Sequence, residues 1–228
     1  MGVSVLLAAN QVTINFGKSL SKPSSAILII LALTVLAIAP SILILLTGFT
    51  RIVIVLGITR QALGLQSTPP NQVLVGIALF ISLFLMAPTL STMNKVALQP
   101  YLHGNITASQ AVNRAEIPLK TWLLKQTGES ELALTAHASH EDAATPMRAS
   151  LATIIPAFLL TQLKTAFIIG FVVFIPFLII DLVVASTLMS MGIVMLPPTL
   201  VALPFKLLLF ILVNGWVLIT GSLITSFR

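Results

Sequence analysis

An all-α protein embedded in a membrane, or in an apolar assembly, is the architecture this sequence predicts. Three observations predict it. Hydrophobic residues make up 57% of the 228-residue chain and charged residues only 8%, where a soluble domain carries about 25% charged. The mean hydropathy is +1.07, so too little polar surface exists to face water all round. The apolar residues fall in long uncharged runs of bilayer-crossing length, several of them interrupted by proline, glycine or a single charge.

The elements follow in order. Residues 1–25 are an N-terminal segment. Met1–Ala9 is short and apolar with no basic leader, which makes a poor signal peptide, and Lys18, Lys22 and Pro23 mark a polar approach. Residues 26–90 are the first apolar helical region. Ala26–Leu46 has no charge over 21 residues, enough to span a bilayer. Pro40 kinks it by removing a backbone donor and crowding the preceding turn. Thr47–Arg51 interrupts the run, Ile52–Ile58 resumes it and Arg60 ends it. Gly64–Asn71, with Pro69-Pro70, reads as a turn. Val73–Leu90 is a second span, with Pro88 near its end.

Residues 91–150 differ. They hold Lys95, Arg114, Glu116, Lys120, Lys125, Glu129, Glu131, Glu141, Asp142, Arg148 and all three histidines. Short amphipathic helices in a water-facing insertion are expected. Thr107 and Gln110 have capping-box spacing. Pro118 suits a first helical position and Gly128 a C-terminal cap. Leu119, Trp122, Leu123 and Gln126 share one helical face.

Residues 151–228 are the second apolar helical region. Leu151–Ile180 is apolar apart from Thr161, Gln162 and Lys164. Asp181 stands alone before Leu182–Met189, Ser190–Pro198 is a Gly/Met/Pro break, and Leu200–Ile224 is the last run, with Lys206 and Asn214 inside it. About four apolar helices or helical hairpins result. Broken helices cannot face lipid with unpaired backbone groups, so the prolines point to a channel, a transporter or an assembly subunit rather than a simple anchor.

Several chemistries drop out. The chain has no cysteine, which removes disulfides and thiolate sites. The net charge is +6, but the basic residues are scattered and no basic stripe with aromatics indicates nucleic acid. An isolated Asp181 gives no acid/base pair and no serine sits with a base, so no catalytic residues and no enzyme are expected. His137 and His140, followed by Glu141 and Asp142, share the i, i+3 spacing of metal ligands, but the segment is polar and loop-like and reads as solvated. No metal or other cofactor is expected.

Four charges lie in apolar surroundings: Arg51, Lys164, Asp181 and Lys206. Each costs roughly 2.5–3.5 kcal/mol at mid-bilayer unless partnered or in a cavity. Three cations face one anion. Either the cations snorkel at helix ends, or carbonyls, water or the carboxylates of neighbouring subunits receive them. Met189, Met191 and Met195 flank Gly192 and Pro197-Pro198. Methionine is a deformable filler, so these residues are either ordinary core or a compliant apolar seal at a loop forced by glycine and proline.

Ordered blocks carry a family resemblance from about Pro40 onward. They are Thr50-Arg51-Ile-Val-Ile-Val-Leu, Arg60-Gln-Ala-Leu-Gly64, Pro69-Pro-Asn-Gln-Val73, Pro146-Met-Arg148, Pro156 to Phe167, Phe174 to Ser186, Leu203-Pro-Phe-Lys206 and Gly215-Trp216. Together they resemble the FliP family of flagellar type III export-gate subunits. The virulence-type secretion subunits share much of this pattern, but Phe174–Ser186 and Met195–Pro198 look more like the flagellar branch.

The resemblance implies a non-enzymatic core subunit of the gate through which unfolded flagellar proteins are secreted. It implies a ring of five copies of the chain, joined by FliR and FliQ, with FlhB at the entrance and FlhA in the wider apparatus. It implies the bacterial inner membrane, the flagellar basal body and contact with lipid, with the polar insertion on the periplasmic side. The family's methionine-rich loop maps onto Gly192–Leu196, where relatives carry successive methionines and this chain carries Ile193, Val194 and Met195. Those three are the expected constriction, supported by Met189, Met191, Gly192, Pro197 and Pro198. The β-branched pair is stiffer than methionine. Asn214 stands where relatives carry an acid, so the family's ion pair to Lys206 becomes at most a hydrogen bond. A small-solute or ion transporter is the competing class, and it requires inverted repeats and a polar midplane site that the sequence does not display.

Overall fold

The computed structural model describes residues 25–141, 145–193 and 195–227. The expectations for Met1–Lys22, Asp142 and Val194 lie outside them. The described residues are all helix and loop, 82% of them helical with no strands among them. Contacts divide it into two units, Met1–Pro40 and Ser41–Arg228. Helix α1 (Ser25–Leu46) begins in the first and ends in the second. Its side chains Ile30, Leu33 and Leu36 are exposed.

Within the second unit, α2 (Phe49–Ala62) is the core helix. Phe49, Ile52, Val55, Leu56, Thr59 and Ala62 are buried along it, a helical stripe of three- and four-residue spacing. The break before it is Thr47-Gly48, where Thr47 Oγ1 accepts from the Phe49 N–H at 3.3 Å. Glycine is required at 48 because a Cβ there would strike the Phe227 ring.

Helix α3 (Asn71–Met93) continues through a π-helical turn (Asn94–Leu98) into α4 (Gln99–Leu102). The 32 residues Asn71–Leu102 form one candidate span, so the helix runs on beyond Leu90 into the start of the polar region. Only Leu74, Ala78, Ser82 and Met86, four residues apart, turn into the core. Phe80 and Phe84 project outward.

The polar region holds α5 (Ala108–Lys125) and α6 (Glu129–Ala138). The capping box forms as expected: Gln110 N–H donates to Thr107 Oγ1, and Thr107 N–H to Gln110 Oε1. Two expectations fail here. Pro118 lies inside α5, because the capping box starts the helix ten residues earlier; the carbonyl that Pro118 cannot serve belongs to exposed Arg114. Gly128 does not end a helix. It is the N-cap of α6, and its N–H donates to Thr161 Oγ1 at 2.9 Å. His140 takes up a left-handed conformation, φ 56°, and its N–H and that of Glu141 cap the carbonyls of His137 and Ala136. It serves as a helix-terminating residue.

Helix α7 (Leu151–Ser190) is a single helix of 40 residues. It runs through Pro156, Pro176, Lys164 and Asp181, where the sequence showed interruptions. Ser150 caps it by accepting from the Thr153 N–H. Ile154, Phe158, Gln162, Ala166 and Gly170 form its buried stripe, and α2 packs along it. Helices α8 (Pro198–Leu212) and α9 (Gly215–Thr225) form a pair bent by 61°. Among the described residues two helices are long and apolar enough to cross a membrane, or three if this bent pair is one span. One core joins α2, α3, α7, α8 and α9, and a second lies where α5 and α6 meet the start of α7.

Candidate gate loop and buried charge sites

The end of α7 is built by glycine. The Ile193 N–H reaches the Leu188 carbonyl and the Gly192 N–H the Met189 carbonyl, both at 3.0 Å, a pairing that needs the left-handed φ of 72° at Gly192. Pro197 is the N-cap of α8 and Pro198 its first residue, positions where a missing N–H costs nothing. Two stops within six residues leave a short loop that neither helix can absorb. Met195 in this loop is 95% exposed, and Met189, Met191 and Leu196 are exposed beside it. These methionines are therefore not ordinary core. Ile193 is half-buried. Flexible thioethers such as these can pack against one another or against lipid.

Arg51 is 2% exposed and does not snorkel. Its Nε donates to Gln162 Oε1 at 2.8 Å, and its Nη1 to the Ser226 carbonyl at 2.9 Å and Ser226 Oγ at 3.1 Å. The Phe227 ring lies under the guanidinium at 3.9 Å, a cation–π contact. The knot extends further. Gln162 Nε2 donates to the Gln126 carbonyl and Gln126 Nε2 to the Phe227 carbonyl, at 3.1 and 2.8 Å, while Trp122 stacks on Phe227. All of its acceptors are neutral. Gln126, Gln162, Ser226 and Phe227 are the partners that sequence reasoning missed. A glutamine inside an apolar run was a signal for Gln162; nothing local marked Ser226 or Phe227.

Lys206 is 3% exposed. Its Nζ donates to Asp181 Oδ2 at 2.6 Å and to the Ala62 carbonyl at 3.0 Å. One cation thus closes the C-terminal end of α2 and neutralises the acid of α7. Asn214 is not its partner. Asn214 instead adopts the left-handed conformation between α8 and α9, φ 54°, which asparagine tolerates better than most residues. The elbow of the bent pair turns there.

Lys164 pairs with Glu131 Oε1 of α6 at 2.9 Å. Of the partners left open for Lys164 the structure supplies a carboxylate of the same chain, as the polar region folds back onto α7, and the Lys164 side chain is 59% exposed and not buried. Glu141 Oε2 accepts from the Ser150 N–H at 2.9 Å, so two carboxylates fasten α6 and its following loop to α7. The hydrogen bond from Lys164, then that from Ser130, holds Glu131 below the usual carboxylate value of 4.5. The bond from the Ser150 N–H does the same for Glu141. Groups with lowered folded pKa stabilise the fold above the unfolded value, and that stabilisation is lost as pH falls through the folded ones. Protection of the α6 amides, relative to their intrinsic exchange rate at each pH, is therefore expected to hold from pH 7 to 5 and to fall below about 4.5. Glu131→Gln with Glu141→Gln should remove the acid dependence; an unchanged acid limb in that variant overturns the assignment.

Long apolar helices with little of their surface covered within the chain, and a broken span, define an integral membrane protein. The window of α7 with the highest hydropathy is only 11% buried within the chain. Among the described residues no group of three His, Asp or Glu side chains could hold a metal ion. The sequence model of the FliP family matches residues 32–223, and the chain belongs to that family. It is 53% identical to the flagellar biosynthetic protein FliP of Bacillus subtilis (strain 168) over 205 residues, covering 90% of this chain and 93% of that one. The Aquifex aeolicus (strain VF5) protein of the same name is 45% identical over 89% of this chain and 86% of its own length. That of Caulobacter vibrioides is 44% identical over 97% and 84%. The chain is a component of the flagellar protein export apparatus with membrane helices.

Proposed function

We propose that the chain is a structural, non-catalytic core subunit of the flagellar export gate, and that copies of it surround the path taken by unfolded flagellar proteins. The observation that carries this reading is the loop between Gly192 and Pro197, whose Met195 and Leu196 side chains are left uncovered in one copy. Ring closure of such loops makes an apolar constriction that excludes water when shut. In this reading Ile193, Val194 and Met195 form the constriction, with Met189 and Met191 behind them. The ring is a pentamer, joined by FliR and FliQ and served by FlhB and FlhA. It resides in the inner membrane at the basal body with residues 91–150 on the periplasmic side. The exposed apolar faces of α3 and α7 supply surface for such neighbours and for lipid.

Native mass spectrometry of the chain in mild detergent tests this, alone and co-expressed with FliQ and FliR. A discrete homo-oligomer that takes up both partners is expected. A stable monomer that ignores both would overturn the assembly reading, and solute flux from the isolated chain would favour a transporter.

A further inference from the structure

An open cavity of about 530 Å³ lies between the α2–α3 corner and the α8–α9 elbow. That is the size of a small-ligand cleft, roughly 300–1,000 Å³. Leu63, Val73, Ile77, Leu207, Phe210 and Trp216 supply its walls. Ile211, also of the lining, and Leu212 next to it in sequence are exposed, so apolar surface borders the slot. The ordered polar feature is at one rim. Pro69, which lines the slot, accepts from Arg60 Nη1 at 3.1 Å, and Asn71 Oδ1 accepts from the same nitrogen at 2.7 Å. Arg60 Nε has no acceptor. No carboxylate pairs with Arg60 among the described residues, whose acids within ion-pair reach of a cation serve Lys120, Lys164 and Lys206. Arg60 is thus a positioned, uncompensated cation on the edge of an apolar slot.

We propose that this cavity holds an acyl chain of an anionic phospholipid, with the lipid phosphate on the Arg60 guanidinium. The walls have the chemistry of a hydrocarbon chain. The planar fork of arginine matches phosphate oxygens, and basic sites between membrane helices recognise anionic headgroups. A neutral partner helix seated here would leave Arg60 without a counter-charge. A free phosphate would leave the apolar slot empty. The inference needs only a chain with membrane helices and stands apart from the gate reading.

The test is native mass spectrometry of the full chain in mild detergent with added phosphatidylglycerol or phosphatidylcholine of the same acyl composition. The wild type is expected to retain the anionic lipid about fivefold more than the zwitterionic one. Arg60→Gln should bring the ratio to one, while Arg114→Gln, on an exposed part of α5, should leave it unchanged. Ile77→Trp should lower retention of both lipids; where that variant fails a circular-dichroism check of folding, Arg60→Gln decides alone. Equal retention of the two lipids by the wild type, or a preference that survives Arg60→Gln, overturns the proposal. So does a wild type that carries no lipid and appears as paired copies, which would seat a second copy in the slot.

Discussion

Replacing Gln162 by Leu is expected to cost about 3 kcal/mol of stability, more than the loss of one neutral hydrogen bond. Arg51 stays buried in that variant, with its Nε facing a methyl group instead of Gln162 Oε1. The Gln126 carbonyl also loses its donor from Gln162 Nε2. Water cannot easily replace either, because Gln162 is fully buried. Arg51→Met removes the charge and leaves only neutral acceptors short of a donor, at about 1–2 kcal/mol. The double variant should therefore be more stable than the sum of the two single losses, by at least about 1 kcal/mol. Thermal unfolding in detergent, run as a double-mutant cycle, measures this. Additivity within about 0.5 kcal/mol would show that Arg51 and Gln162 do not act as one unit.

The second large effect concerns the loop. Substituting Ile193, Val194 and Met195 together by glycine is expected to raise ion leakage through the assembled gate more than about tenfold, equivalent to removing ~1.4 kcal/mol from the barrier. An apolar constriction shuts by dewetting, and in the proposed ring each copy would lose three apolar side chains from it. Met195 has almost no contacts of its own to lose, so its part of the change acts on the passage and not on the fold of the single chain. Conductance of the reconstituted complex in planar bilayers reads the effect directly. Unchanged leakage with intact assembly would remove these residues from the constriction.

Much of the architecture was legible because hydrophobic run length is a local property. The capping box at Thr107 and Gln110 appears where the sequence predicts it, and the helix break after Leu46 falls within the expected interruption, though only Thr47 and Gly48 of Thr47–Arg51 lie outside a helix. The partners of the buried charges were not legible, because they are distant in sequence. Arg51 reaches Gln162 and Ser226, 111 and 175 positions away. Counting charges within the apolar runs left Lys164 without an acid, because Glu131 belongs to a different region and arrives only when α6 docks on α7. Gly128 and Pro118 were misread for a related reason. Each is compatible with two helix positions, and the choice depends on where the neighbouring cap starts the helix. Pro156 and Pro176 suggested breaks, yet packing against α2 and an unbroken apolar run keep α7 one helix.

The length of α7 has a geometric consequence. Forty helical residues make a rod of about 60 Å, set in a hydrocarbon slab of about 30 Å. Lying wholly inside would require an inclination near 60°, beyond the roughly 40° limit seen for membrane helices. The rod must therefore stand well clear of the slab. Lys164 and Asp181 divide it, about 25 Å apart along the axis, close to one slab thickness. In the proposed ring, a passage bounded by such rods standing upright would be about twice as deep as the membrane. A fully extended polypeptide threading it needs about 18 residues to bridge its two ends.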